Sequence, residues 1–138
     1  MESTKCYTLK YSDGYKIQIK EDVFVQTRLR PKQRVEIPGY VSLETDGGLW
    51  IYNRYAYDGA TGGVNLDCMR LAILVHDALF QLMQEGQLDI AFFQQANEEL
   101  RDIAISNGTP NFIANFFFFM VQKFGNAFAT KKKKVYTV

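Results

Sequence analysis

Apolar and polar residues alternate along the first half of the chain with the period of two that half-buried β-strands show. The segment 15–20, for example, reads YKIQIK. Asp-Gly pairs at 13–14 and 46–47, and a Pro-Gly pair at 38–39, are typical of turns that join neighbouring strands. The pattern therefore predicts a small antiparallel or mixed sheet within residues 1–55.

The second half of the chain instead repeats apolar residues every three or four positions, as amphipathic helices do. The first predicted helix gathers such residues on one face, namely Leu71, Leu74, Val75, Ala78, Leu79 and Leu82. Other apolar residues flank this face, so we expect this helix to be the central, mostly buried one. Gly86 fits its C-terminal end.

Two further helices are predicted after Gly86. The second is expected to begin at a capping Asp89 and to end near the Asn-Gly pair at 107–108. The third has Thr109 as its expected N-cap and Pro110 at its first position, where proline is favoured. It is expected to end near residue 124, because the following glycine would end or bend it.

The third predicted helix is rich in phenylalanine. Helical spacing places Phe112, Phe116, Phe119 and Lys123 on one stripe, whereas Phe117 and Phe118 point elsewhere. Either other elements cover both sides of this helix, or some of the rings are exposed. An exposed aromatic patch of this kind would mark a surface for a partner.

These elements predict one α+β domain, with a small N-terminal sheet packed on three C-terminal helices. The length of 138 residues fits one domain with one sizeable core. We expect strands mainly within 1–55, a glycine-rich loop over 56–64, three helices over 65–129 and a basic tail over 130–138.

The overall charge of the chain argues against a dominant role of electrostatic attraction. The net charge is +1, so nucleic-acid binding is only weakly supported. Two basic clusters could still contact nucleic acid, but solvated surface positions are the simpler interpretation. They comprise Arg28, Arg30, Lys32 and Arg34, and the run Lys131–Lys134.

The chain is expected to be a soluble intracellular product. The N-terminus lacks the apolar stretch of a signal peptide, and no run approaches the ~20 apolar residues of a membrane span. Cys6 and Cys68 are too few for a disulfide framework. Reduced thiols are therefore expected, although one bridge stays open as an alternative.

The candidate chemistry lies between the sheet and the first helix. His76, which is the only histidine, and Asp77 follow a glycine-rich loop that contains Asp58. Such a loop can turn its backbone toward an ion, and both carboxylates could bind a divalent cation such as calcium or zinc. His76 would then be the general base. The predicted loop residues that bind the ligand are Tyr57, Gly59, Thr61, Gly62 and Gly63.

A purely structural interpretation of the same residues is simpler. His76 would donate one hydrogen bond to a loop carbonyl, and Asp77 would cap a helix or pair with a basic group of the sheet. Asp58 would bind backbone amides in a tight turn. Buried polar groups need partners of this kind in any folded protein.

The loop and the first helix resemble a domain-of-unknown-function family of tailed phages and prophages. Its pattern is an aromatic residue with Asp-Gly-Ala-Ser/Thr, then His-Asp-Ala-Leu-Tyr. The corresponding segments here are YDGAT at 57–61 and HDALF at 76–80. A weaker match continues through Ala-Asn at 96–97 and Phe-Gly at 124–125, so the resemblance covers about residues 40–128.

The resemblance implies phage origin but no settled activity. Two departures from the family pattern bear on chemistry. Phe80 stands where tyrosine is usual, which removes a hydroxyl group. Asn97 stands where aspartate is usual, which removes a charge that a metal site could use.

Two functions follow from these patterns. One is a metal-assisted hydrolase in which Asp58, His76 and Asp77 carry the reaction, and Asn97 orients His76. The other, which we favour, is a small phage accessory or virion-associated protein in which these residues form a fixed polar network. Its partners would be other phage or host proteins, bound through the phenylalanine-rich third helix or the basic tail.

Overall fold

The computed structural model describes residues 11–12, 17–53, 55–57 and 67–130. Strands precede helices in this part of the chain, which confirms the predicted α+β class. The strands are β1 (Tyr11–Ser12), β2 (Ile17–Ile19), β3 (Val23–Gln26), β4 (Val35–Ile37), β5 (Val41–Leu43), β6 (Gly48–Ile51) and β7 (Ala56–Tyr57). The helices are α1 (Asp67–Gln84), α2 (Phe93–Ser106) and α3 (Asn111–Thr130), and a 3-10 turn (Ile90–Phe92) leads into α2.

The described strands form two antiparallel sheets rather than one. A three-stranded sheet has the order β1-β2-β7, and a four-stranded sheet has the order β3-β6-β5-β4. The two predicted turns of the larger sheet are confirmed, because Gly39 and Gly47 join its strands with positive φ angles of 84° and 91°. The Asp46 carboxylate accepts a hydrogen bond from the amide of Gly48 at 2.9 Å, which stabilises the second turn.

The four-stranded sheet buries one of its faces against α1. Alternate residues of its strands, including Val41, Leu43, Leu49 and Ile51, are fully buried together with the apolar face of α1. A second apolar cluster joins the three helices on the other side of α1, with Met69, Ala72, Leu100, Ala104, Ala114 and Phe117 as its buried members. The prediction that the first helix is central is therefore confirmed.

The ends of α1 and α2 largely follow the sequence signals. Gly86 and Gly108 take positive φ angles of 78° and 101° directly after the two helices. Asp89 is a cap, but its carboxylate accepts from the Ala91 amide at 2.8 Å and so caps the 3-10 turn rather than α2 itself.

The predicted limits of the third helix are wrong at both ends. The helix begins at Asn111 and passes through Gly125 to Thr130. Within the described residues the Thr109 hydroxyl has no hydrogen-bond partner, so it does not cap the helix. Gly125 is tolerated inside the helix because α3 packs there on the ring of Phe80, as described below.

Two other expectations need correction. The short strand β7 lies within 56–64, the segment expected to be a loop. Cys68, near the start of α1, is disulfide-bonded rather than a reduced thiol, whereas Cys6 lies outside the described residues. The expected basic tail over 130–138 also lies outside them, except for Thr130, which ends α3. None of the helices in the described ranges is both long and apolar enough to cross a membrane.

Candidate functional site: a hydrogen-bonded junction of three helices

One chain of side-chain hydrogen bonds connects all three helices. The Nε2 atom of His76 on α1 lies 2.7 Å from Oδ1 of Asn97 on α2. The Nδ2 atom of Asn97 donates to Oε1 of Gln122 on α3, also at 2.7 Å. Asn97 is fully buried, whereas the other two residues are half-buried. We call these three residues the helix junction.

The directions of these bonds define the state of the imidazole. Because Oδ1 of Asn97 can only accept, the His76 ring carries a proton on Nε2, and burial, which lowers the pKa of the ring, keeps it neutral. The other ring nitrogen, Nδ1, then keeps a lone pair. It forms no hydrogen bond with any residue of the described part of the chain.

The ring of Phe80 packs on His76, and a second aromatic ring and a glycine pack on Phe80. Its ring lies 4.0 Å from the ring of Phe80 between centroids, and Phe80 in turn lies 5.6 Å from Phe93. A Cβ atom at Gly125 would come within 3.1 Å of the Phe80 ring, so the absent side chain lets α3 approach α1 closely.

This environment disfavours a charged imidazole. Burial lowers the pKa of His76 to about 4, and the hydrogen bond with Asn97 opposes that shift only in part. His76 is therefore neutral at physiological pH. A histidine that acts as general base near neutrality usually has a pKa close to the working pH, so His76 would be a weak base.

Asp77 belongs to a different interface. Its Oδ2 atom accepts a hydrogen bond of 2.7 Å from the hydroxyl of Tyr55, a buried residue that follows the four-stranded sheet. Successive helix positions differ by about 100° in direction, which separates Asp77 from His76. The contact with Tyr55 links α1 to the strand region, whereas His76 links α1 to the other helices.

The structure brings together two of the predicted catalytic residues, His76 and Asn97. Asp77 faces elsewhere, toward Tyr55. Tyr57 lies in β7, where its backbone pairs with Ile17. The remaining candidates lie outside the described residues, namely Asp58, Gly59, Thr61, Gly62 and Gly63. The catalytic and metal-binding roles of all these residues therefore stay predictions.

His76 and Asp77 each have a side-chain partner that the purely structural interpretation did not name. His76 bonds to the side chain of Asn97, and Asp77 accepts a hydrogen bond from a tyrosine. The expected bond of His76 to a loop carbonyl and the expected pairing of Asp77 with a basic group stay predictions. Among the described residues no group of three or more histidine, cysteine, aspartate and glutamate side chains is arranged to hold a metal ion.

Sequence reasoning missed Gln122 and Glu99. Gln122 completes the helix junction, and its signal is an amide side chain directly after the apolar run 116–121. Glu99 is buried beside Leu100, and its Oε2 accepts from the backbone amide of Arg28 at 2.8 Å. The sequence signal for this contact is a carboxylate directly beside the apolar face of a predicted helix.

Two of the four residues in the basic cluster 28–34 are paired with acids. Arg28 also contacts Asp102, and its hydrogen bonds to Glu99 and Asp102 raise the pKa of its guanidinium. Arg34 pairs with Glu36 and Glu44 at 2.9 and 2.7 Å. These pairs leave less positive potential for a nucleic acid than the sequence alone indicates.

The most exposed apolar side chains of the described helices lie on α3. Phe112 is 76% exposed, and Phe116 and Phe119 are each 56% exposed, whereas Phe117 between them is buried in the helix core. The ammonium group of Lys123 lies 5.6 Å from the centre of the Phe119 ring. We call Phe112, Phe116, Phe119 and Lys123 the aromatic face.

A second exposed aromatic group covers the outer side of the four-stranded sheet. Phe24 and Trp50 are cross-strand partners with ring centres 5.0 Å apart, and Tyr52 stacks on Trp50 at 6.3 Å. Ring-to-ring packing already covers part of these side chains. The aromatic face of α3 is the more exposed of the two.

Comparisons with family models, curated proteins and solved structures found no match to this chain. Function must therefore be argued from the helix junction and the aromatic face themselves.

Proposed function

We propose that this chain is a phage-encoded accessory or virion-associated protein that acts by binding another protein through the aromatic face of α3. The observation that carries the proposal is the exposure of Phe112, Phe116 and Phe119 on one side of one helix. Monomeric proteins rarely leave contiguous apolar patches open, and aromatic residues are enriched where proteins bind each other.

The helix junction supports this function by holding α3 in place. The bonds from His76 through Asn97 to Gln122 fix α3 relative to both other helices. Phe117 and Ala114 bury the inner side of α3 at the same time. A rigid helix presents its outer side chains to a partner with little further loss of conformational entropy.

Phage origin is supported by the resemblance of the loop and first helix to the tailed-phage family. The expected partners are accordingly phage or host proteins, and the expected locations are the virion or the host cytoplasm. His76 and Gly125, which match that pattern, lie beside Phe80 and Asn97, which stand at its tyrosine and aspartate positions. Such convergence is consistent with motif residues that maintain the fold rather than perform a reaction.

A metal-assisted hydrolase with His76 as general base is the second candidate. One observation favours it, namely the lone pair on Nδ1 of His76, which no described residue occupies. Asp58 and Asp77 would be the cation ligands. Metal analysis of protein purified without chelator tests this candidate, since stoichiometric calcium or zinc that is lost in Asp58→Asn would support it.

Two substitutions in the encoding phage separate the two functions. Phe116→Asp places a charge in the exposed aromatic face without disturbing the buried side of α3. His76→Gln removes the imidazole but keeps an amide donor for Asn97. Binding through α3 predicts that Phe116→Asp lowers the phage yield to that of a deletion, whereas His76→Gln leaves the yield nearly unchanged.

The opposite result, with loss of yield in His76→Gln and a normal yield in Phe116→Asp, would overturn the binding function in favour of the hydrolase. Circular dichroism of both purified variants serves as the control for folding. Asn115→Asp is a matched control for added charge, because Asn115 is exposed on α3 but does not belong to the aromatic face.

A further inference from the structure

The residues of the aromatic face have a spacing that reads identically in both directions along α3. Positions 112, 116, 119 and 123 are separated by four, three and four residues. If two such helices pack antiparallel about a two-fold axis, Phe116 lies opposite Phe119 of the second copy. Phe112 then lies opposite Lys123 of the second copy. A two-fold interface requires self-complementarity of this kind.

The chemistry of these opposed positions is favourable. Lys123 already lies over the ring of Phe119 within one chain, so its ammonium group is placed to contact aromatic faces. It is the only charged residue of α3. In an antiparallel pair it would meet Phe112 of the second copy, whereas a parallel pair would oppose two lysines. Repulsion between like charges therefore favours the antiparallel arrangement.

We propose that the aromatic face binds the same face of a second copy of this chain, with the two α3 helices antiparallel. This proposal rests on the function proposed above, because it names the partner of the same surface. It assigns phenylalanine pairs to the centre of the contact and the Phe112–Lys123 pairs to its two ends.

The exposed area indicates how strong this dimer is. At about 200 Å² for each phenylalanine side chain, the three rings expose on the order of 400 Å² per copy. Their pairing would remove on the order of 800 Å² in total from water, which is below the ~1,200 Å² of stable specific interfaces. The dimer is therefore weak and its population depends on protein concentration.

Two variants with opposite charges at position 112 test whether the chain binds a second copy and whether the two α3 helices are antiparallel. Sedimentation equilibrium over a concentration series should show dimer formation by the wild-type chain. Phe112→Glu places a carboxylate opposite Lys123 of the second copy and should retain the dimer. Phe112→Lys places two ammonium groups together and should lower the affinity of the dimer at least about tenfold. Combining Phe112→Lys with Lys123→Glu should restore that affinity.

Position 112 is a safe place for these changes, since its side chain is 76% exposed and both variants lose the same ring. Equal loss of the dimer in Phe112→Glu and Phe112→Lys would overturn the antiparallel pairing. In a parallel pair position 112 lies opposite itself, so both variants would bring like charges together. A wild-type chain that stays monomeric at millimolar concentration would overturn self-association altogether.

Failure here is distinguishable from failure of the proposed function. A monomeric wild-type chain whose Phe116→Asp variant still loses phage yield binds a different protein through this face. That result overturns the second copy as partner and leaves the function of the face standing. A normal yield of Phe116→Asp would instead overturn the function itself.

Discussion

His76 and Asp77 are neighbours in the sequence, but they belong to two interfaces with different physics. His76 is part of a chain of neutral groups that joins three helices, and its central member, Asn97, is fully buried. Asp77 is half-buried and accepts a hydrogen bond from Tyr55 on the strand side of α1. A dipeptide that resembles one catalytic unit in sequence thus serves two separate contacts in the fold.

The difference in burial predicts a difference in energetic importance. A fully buried polar group that loses its partner cannot turn to water, so its desolvation is not compensated. A half-buried carboxylate keeps access to solvent and loses little when one donor is removed. The helix junction should therefore tolerate substitution less well than the Tyr55–Asp77 contact.

Asn97→Leu should have the largest effect on the free energy of unfolding. Leucine has a similar volume, but it breaks two hydrogen bonds at once, and the Nε2 hydrogen of His76 and Oε1 of Gln122 then face an apolar side chain at a fully buried position. We expect a loss of about 2–4 kcal/mol, measured by urea denaturation.

Gln95→Leu is the matched control for that change, because it replaces an exposed amide on the same helix. Its stability should stay within about 0.5 kcal/mol of the wild type. Equal stabilities of the Asn97 and Gln95 variants would show that the helix junction does not stabilise the fold.

Acid should have the second-largest effect on the free energy of unfolding. The pKa of His76 is about 4 in the folded chain and about 6.5 when unfolded, so the unfolded state binds its proton first as the pH falls. This contribution to stability is present above pH 6.5 and is lost progressively toward pH 4. The loss amounts to up to about 3 kcal/mol, since each unit corresponds to 1.36 kcal/mol.

The single histidine makes this prediction straightforward to measure by NMR titration of the imidazole. Stability curves of the wild type and His76→Gln, compared over the same pH range, separate His76 from the carboxylates that also titrate in acid. An imidazole that titrates near 6.5 in the folded protein would contradict its burial against Phe80.

Tyr55→Phe should have a smaller effect. It removes the hydroxyl that donates to Asp77 and leaves the buried ring in place. We expect a loss of about 1 kcal/mol by the same denaturation assay. Because the two contacts are separate, its effect should add to that of Asn97→Leu within about 0.5 kcal/mol. A clearly non-additive double variant would mean that the two sides of α1 are coupled.

Gly125→Ala should have the smallest effect. Alanine gains about 1 kcal/mol of helix propensity over glycine. The new Cβ atom would lie 3.1 Å from the Phe80 ring, which also packs against the ring of His76. The two effects should nearly cancel in the unfolding free energy. In a Phe80→Leu background the strain is absent, so the same change should stabilise by about 1 kcal/mol.

Much of the fold was predictable because it depends on local signals. The turns at Gly39 and Gly47, the end of α1 at Gly86 and the burial of its apolar face all follow from residue type and spacing. The exposure of the aromatic face follows the same periodicity, since Phe112, Phe116 and Phe119 share a stripe. The sequence left open only whether another element would cover it.

Other features were not predictable, because they depend on contacts between distant segments. Helix α3 continues through Gly125 since Phe80 packs against it, although a glycine commonly ends a helix. The division into two sheets depends on which strands pair, for example β2 with β7. The partner of Asn97 on α3, Gln122, lies 25 residues away in the chain.

The sequence by itself determined the order of strands and helices, the central place of α1 and the aromatic stripe on α3, because backbone geometry converts residue spacing directly into faces. Only the tertiary structure decided that His76 and Asp77 serve different contacts and that His76 is held neutral. Hydrogen-bond partners and desolvation depend on how helices pack against one another, and one-dimensional spacing does not encode that arrangement.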